Sequence, residues 1–554
     1  MEKSPRRLAW PVLHHDAWLV FIAALVIQTA VWMDYRHSPF YEGLICDAKY
    51  YADWARALMA SHGVSHEVFY QAPFYAYFIA AIWSVCGTNP AAVFLAQIIL
   101  NACAAALLFL MGRAYGGRQA GWLAALLYCF YGMLTFYALK LLSEIPAVFL
   151  HVLLAFLLTG KTSPLRRTAA GIACGLLILT KPHALLFVPL ILIYLSLHPR
   201  RESLRARFCA AACFVIPVLL LAGAAVWHNF KIERRFVPVA ANGGLNFYIG
   251  NSPEANGIFC YVDDISPGIG RQYQTARAAA EQKAGPLRTK AEVSDFWFRE
   301  GIKCIREDWR RFLQLEWRKL TRLLSPIEYS SMFYLSFEQK HFTHGFRLLF
   351  VNFALLLPLA AAGAAALIRN WRAYLICWMM IFVTAFYVLI FFMDERFRLP
   401  MVPFLILIAA GGLVKGLQTV FRRSEPVGRR VGTALIMAMA AVLAAGGLKL
   451  DPGRPSVEHS LYLHVGDVYY ERADYQKALE AYYQSFRLAG CNWEAEMEIS
   501  KVIFAMGHKE TALKLYRQAL PNLSPAIRAE YLSDKNFASL QAIVAADKAT
   551  NKIE

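Results

Sequence analysis

Charge is scarce in this chain. Asp, Glu, Lys and Arg make up 17% of its 554 residues, against about 25% in a soluble domain, which argues against a protein solvated on every side. Its eleven cysteines are singletons apart from the near pair Cys209 and Cys213. With no C-x-x-C and no Cys/His spacing suited to zinc, neither a disulfide framework nor a metal centre follows. A small-x-small cleavage site behind the first apolar run is also missing, and so is the two-halved symmetry of a repeat-built transporter. Acidic residues are the rarer sign, 39 against 57 basic ones, for a net charge of +18. The basic residues fall in short clusters between apolar runs, where orientation signals sit, so no nucleic-acid partner is expected.

Apolar residues dominate instead, at 58% with 14% aromatic and a mean hydropathy of +0.38. Runs at roughly 17–33, 90–111, 119–137, 141–159, 168–181, 183–198, 208–227, 346–368, 372–392, 398–418 and 431–449 make about eleven candidate spans, some short for the usual 20 residues. Lys3, Arg6 and Arg7 ahead of the first run place the N-terminus in the cytoplasm. Arg113/Arg118, Lys161/Arg166/Arg167, Arg200/Arg201/Arg205/Arg207, Arg369/Arg372 and Lys415/Arg422/Arg423/Arg429/Arg430 then all fall on the same side. The odd count leaves loops 34–89 and 228–345, and everything after Lys449, outside. The expectation is an all-α polytopic membrane protein with a cytoplasmic segment over 1–16, a transmembrane domain over 17–450 and an external helical segment over 451–554. Pro73 to Val85 is too short to span comfortably and is expected to lie in the outer interface.

Loop 228–345 begins with a turn-rich stretch, Asn242 to Pro253, and continues into basic amphipathic helices. Trp297, Phe298, Ile302, Ile305, Trp309, Phe312, Leu313, Trp317 and Leu320 recur at helical spacing among Arg306, Arg310, Arg311, Arg318 and Lys319. Such helices suit either a membrane surface or the core of an external domain. Beyond Pro452 and Pro455, Gly466, Tyr469, Ala478 and Tyr482 stand at tetratricopeptide spacings. Ala512, Tyr516 and Ala519 follow Ala478, Tyr482 and Ser485 by about 34 residues. The segment resembles a degenerate tetratricopeptide pair, a surface that would suit a protein partner.

Two stretches put a carboxylate beside hydrocarbon: Cys46-Asp47-Ala48-Lys49-Tyr50-Tyr51-Ala52-Asp53-Trp54 and Leu141-Leu142-Ser143-Glu144-Ile145-Pro146. A carboxylate there costs a few kcal/mol unless it faces water or a partner, which makes it a candidate functional group. Aromatic rings around Asp47 and in Gln71-Ala72-Pro73-Phe74-Tyr75 suit sugar faces and membrane interfaces alike.

These features resemble the polytopic GT-C glycosyltransferases of the protein O-mannosyltransferase and aminoarabinose-transferase type. Lys140 to Pro146 is similar to the family's acid-then-Pro start of a span, and Thr180-Lys181-Pro182 to its basic-Pro turn. Gly243 to Asn251, with Asn246 and Tyr248, is similar to its large-loop signature, and Asp394-Glu395-Arg396-Phe397-Arg398-Leu399-Pro400 to its external Arg turn. There are departures: Ala48 follows Asp47 where mannosyltransferases often carry a second acid, and Ala72 stands where aminoarabinose transferases have Lys.

The resemblance implies a single displacement with inversion. Asp47 would be the general base, and the donor a polyprenyl-phosphate sugar held by cations among Arg396, Arg398, Lys181 and Lys140. Glu144, Tyr50, Tyr51, Asp53, Gln71, Asn246 and Tyr248 complete the expected substrate site. No cofactor is required, although Asp47 and Glu144 could share a divalent ion if they converge. The expected setting is a bacterial inner membrane with an extracytoplasmic site. The acceptor stays open among a lipid, a glycan and a protein. Two other readings stand beside this one, a flippase for lipid-linked sugars and a membrane-tethered scaffold.

Overall fold

A computed structural model describes residues 15–160, 163–197, 203–266, 268–422, 424–446, 457–490 and 492–550. Lys3, Arg6, Arg7, Lys161, Arg200, Arg201 and Arg423, and the expected Pro452/Pro455 boundary, lie outside the described residues. Among the described residues there is no strand, only the two isolated bridges Tyr131–Val351 and Ile258–Met393.

Within the described residues each expected apolar run is helical over most of its length, as a segment that must satisfy its own backbone in hydrocarbon has to be. Their starts are written locally. Asn89 caps Pro90–Gly116, Ser163 caps Pro164–Thr180, Ser203 caps Leu204–Glu233 and Asn352 caps Phe353–Leu367, each side chain accepting a first-turn N–H. Five helical stretches among the described residues are long and apolar enough to cross a membrane by length and composition: His15–Tyr35, Pro90–Gly116, Arg205–Glu233, Phe353–Ile390 and Glu395–Phe421.

Shorter elements depart from the simple reading. The run 119–137 is two helices, Arg118–Cys129 and Gly132–Ala138. They separate because Gly132 N donates to the Val351 carbonyl at 3.1 Å and the Phe130 carbonyl accepts from Val351 N at 3.0 Å, so the chain turns outward to bridge. Phe74–Cys86 has 13 residues, about 20 Å at helical rise, well short of a bilayer core of about 30 Å.

Small residues bring the helices together. A Cβ on Gly412 would overlap Gly363 and one on Gly171 would overlap the Phe214 carbonyl, so these helix pairs meet backbone to backbone. Two buried amides are paired across helices. Asn101 donates to Gln28 at 2.8 Å and accepts from Tyr128 at 2.6 Å. Gln97 accepts from Tyr75 at 2.9 Å and donates to the Ala138 and Lys140 carbonyls at 3.0 and 2.8 Å. The Gln97 bonds fix the short segment that leads into Glu144.

The stretch Asn242 to Pro253 is not a turn but a helix, Gly243–Asn251. Its glycines serve close approach: a Cβ would collide with the Ser294 carbonyl at Gly244 and with the Phe391 carbonyl at Gly250. The basic amphipathic pair is Lys290–Glu307, opened by a Thr289/Glu292 capping box, and Trp309–Leu323. Trp297 is 1% exposed whereas Trp309 and Trp317 are 60% and 66% exposed, so the first helix is anchored in a core and the second leaves its aromatic face open.

Four C-terminal helices run in successive packed neighbours, Glu458–Glu471, Tyr475–Ala489, Trp493–Ala505 and Lys509–Ala519, and Pro525–Ser533 and Ala538–Thr550 follow them. Ala478, Tyr482, Ser485, Ala512, Tyr516 and Ala519 are buried in their seams, and a Cβ on Gly466 would enter the Tyr482 ring. They dock on two segments of the chain, 34–89 and 228–345. Lys49 pairs with Glu471 at 2.5 Å, Arg472 donates to the Pro39 carbonyl at 2.8 Å, Ser266 donates to Glu530 at 2.9 Å, and Phe337 meets Tyr462 edge-on at 5.1 Å.

Candidate active site

Asp47 lies in the first turn of Cys46–Ala60, a position that suits a negative charge. Cys46, immediately before it, sits in the left-handed region at φ 48°. A non-glycine residue held there costs about 1–3 kcal/mol, and such strain gathers at functional sites. The carboxylate of Asp47 accepts a 2.7 Å charge-assisted hydrogen bond from Arg396, and the two side chains are 14% and 13% exposed.

Arg396 is delivered by a well-anchored turn. Asp394 caps Glu395–Arg398 and accepts from the Ser331 hydroxyl at 2.6 Å, while Met393 N donates to the Gly257 carbonyl at 2.9 Å. Beside this pair stands another, Glu144 with Lys181 at 2.8 Å, with 2% and 16% exposure. Lys181 ends Pro164–Thr180, and Glu144 opens Glu144–Leu158. Among the described residues Glu144 Oε2 and Arg396 Nε are buried without a hydrogen-bond partner, although Arg396 Nε lies 3.6 Å from Asp394.

Both pairs border one cavity of about 780 Å³, which Tyr51, Gln71, Ala72 and Asn246 also line. Seven of the expected site residues are thus brought together there: Asp47, Tyr51, Gln71, Glu144, Lys181, Asn246 and Arg396. Among the described residues no three His, Cys, Asp or Glu side chains are grouped to hold a metal.

Five expected residues stand elsewhere. Asp53 pairs with Arg56 at 2.7 Å on the surface. Tyr50 packs on Tyr51 and Trp54 with centroids 5.9 Å away, and Tyr248 packs on Trp297 at 4.7 Å. Arg398 is buried against Glu395, donates to the Ser325 carbonyl at 2.6 Å and lies over the Phe353 ring at 4.0 Å. It stiffens the turn that presents Arg396.

Lys140 donates to Glu338 at 2.5 Å and to the Tyr35 hydroxyl at 2.6 Å, with Lys140 and Glu338 exposed by only 2% and 1%. Burial pushes the Glu338 carboxyl up and the Lys140 ammonium down, and each partner draws the other back. Lys140→Met is expected to cost about 3–5 kcal/mol, because it strands a buried carboxylate. The Lys140→Met/Glu338→Gln double variant should recover most of that loss. Thermal unfolding of the purified chain checks both, and an unshifted Lys140→Met midpoint would contradict a structural role.

Sequence reasoning missed part of the lining. Ser331, Tyr387, His464, Asp467, Glu494, Glu498, Lys501, Glu530 and Asp534 all face the cavity. The last seven come from the C-terminal helices, whose spacing carries a packing signal but none for this placement.

A search of curated proteins found no match. Among solved structures, the apo oligosaccharyltransferase of Archaeoglobus fulgidus is similar at 13% identity and a TM-score of 0.44, over 82% of this chain and 58% of that one. The chain therefore spans a little over half the length of that enzyme. ArnT from Cupriavidus metallidurans, solved with undecaprenyl phosphate, is similar at 14% identity and a TM-score of 0.33, over 74% of this chain and 80% of that one. Residues 70–227, which include Gln71, Glu144 and Lys181 but neither Asp47 nor Arg396, match the family model described as dolichyl-phosphate-mannose-protein mannosyltransferase, a match that supports a membrane glycosyltransferase.

Proposed function

We propose that the chain transfers a sugar from a polyprenyl-phosphate donor to an acceptor hydroxyl on the extracytoplasmic side of a bacterial inner membrane, with inversion and with Asp47 as general base. The observation that carries this reading is the Asp47–Arg396 pair, 2.7 Å apart and part-buried on the wall of the 780 Å³ cavity. The family description, which names dolichyl-phosphate mannose, supports a lipid-phosphate donor for the matched segment.

Asp47 takes the proton of the acceptor hydroxyl as that oxygen bonds to the anomeric carbon. The bond from that carbon to the lipid phosphate breaks on the opposite face, and the phosphate leaves with the electron pair. Negative charge grows on the departing phosphate, so a guanidinium aimed at it contributes most in the transition state. Arg396 holds Asp47 in the resting state and turns to the phosphate when donor enters, which frees the carboxylate to accept a proton. Lys181, steadied by Glu144, supplies the second cation. Tyr51, Gln71 and Asn246 border the space for the sugar. The donor's hydrocarbon tail stays in the bilayer, which is why the site lies at the mouth of a helix bundle. The C-terminal helices act as a degenerate tetratricopeptide pair.

Mass spectrometry of envelope glycans, lipids and proteins from cells with and without the chain tests the reading. A sugar lost from one acceptor class is the expected result, and no change in any class would overturn it.

A further inference from the structure

The cavity has two unlike walls. Its inner wall carries Arg396 and Lys181, each matched by a carboxylate. Its outer wall belongs to the C-terminal helices and contributes six carboxylates, Asp467, Glu471, Glu494, Glu498, Glu530 and Asp534, against a single lysine, Lys501. Two of the six are neutralised, Glu498 by Lys501 and Glu471 by Lys49 across the docking interface. A third, Asp467, pairs with His464 at 3.6 Å and accepts from the Tyr482 hydroxyl at 2.8 Å.

Glu494, Glu530 and Asp534 make no ion pair among the described residues. Arg271, which also borders the space, gives its guanidinium to the Glu530 carbonyl and the Ser533 hydroxyl, each at 2.5 Å. Burial and the neighbouring Glu530 push the Glu494 carboxyl up, and His464 draws it back only in part. A second observation points to a ligand in the same space: Glu144 is 2% exposed, and while its Oε1 accepts from Lys181 its Oε2 has no hydrogen-bond partner among the described residues, so an open buried acceptor lines the cavity.

We propose that the C-terminal helices are the acceptor-selecting wall of this cavity and that the acceptor is a basic polypeptide segment, with Lys or Arg beside the hydroxyl that is modified. This rests on the transferase reading and names its acceptor. Like charges disfavour an acidic glycan or a phosphorylated lipid as the acceptor against such a wall, while the donor phosphate faces Arg396 and Lys181 on the inner wall, and an ammonium or guanidinium is drawn to the outer one. The wall is made by helices outside the apolar body, so the acceptor enters from the aqueous side, opposite a donor anchored in the bilayer.

The test uses the purified full-length chain and three fluorescent oligopeptides: alternating Lys and Ser, the same peptide with its lysines acetylated, and the same with Glu for Lys. The lysine peptide is expected to bind about tenfold or more tightly than either of the others. The Glu494→Gln/Asp534→Asn variant, which keeps side-chain shape, should lose most of that preference. Asp47→Asn should still bind the lysine peptide, which separates this result from loss of the base. Absence of binding, equal affinity for all three peptides, or a preference that survives the Glu494/Asp534 substitutions would each overturn the proposal. Glycan loss in cells without any such preference would leave the transferase standing and remove only this acceptor.

Discussion

Arg396→Ala is expected to lower sugar transfer by about 10²–10³-fold, the usual consequence of removing one preorganised donor from a developing oxyanion. The expectation follows from placement. Arg396 is the cation that both touches Asp47, at 2.7 Å, and borders the cavity. Its turn is held independently by the Asp394 cap and by the buried Arg398–Glu395 pair, so the loss should appear in turnover rather than in folding. Arg396→Lys should recover only part, because an ammonium keeps the charge but not the planar fork that can engage a carboxylate and a phosphate in turn. Added guanidinium should partly restore the Ala variant, a response that a merely structural arginine would not give. Turnover of Arg396→Ala equal to that of the parent chain would remove Arg396 from the reaction.

Much of this arrangement is legible in the sequence, and what is hidden is hidden for physical reasons. Asp47, Glu144, Lys181 and Arg396 stand out because a charge at the edge of an apolar run needs explaining, and all four reach the cavity. Lys140 stands out for the same reason but is bound to Glu338, a partner 198 residues away that no local pattern reveals. Arg398 could have been separated from Arg396, since Glu395 precedes it by the three residues that favour a helical ion pair. The glycines of 243–251 suggest turns, yet they serve helix contacts, a distinction visible only once Ser294 and Phe391 are in place. The apolar runs predict helices correctly, whereas the break at Tyr131 depends on a backbone partner, Val351, supplied from far along the chain. The outer acidic wall was not legible at all. It exists because Glu471, Arg472 and Glu530 dock the last helices over the first and largest loops, and docking of that kind leaves no periodic trace.

The second large effect concerns Asp47 itself. Asn preserves the shape of the side chain and can still meet Arg396 through its carbonyl, but it cannot take a proton from an attacking hydroxyl. A positioned general base contributes about 10²–10⁴-fold, so Asp47→Asn should lose that much turnover. Because the substitution also releases Arg396 from its ionic partner, donor binding should be retained or strengthened. Loss of rate without loss of donor affinity is the signature of a group that acts in the transition state rather than in the bound ground state. The decisive measurement is transfer by the full-length Asp47→Asn chain at saturating donor and acceptor, with donor affinity determined on the same preparation. The account predicts turnover reduced by about 10²–10⁴-fold with donor binding intact, and undiminished transfer would contradict it.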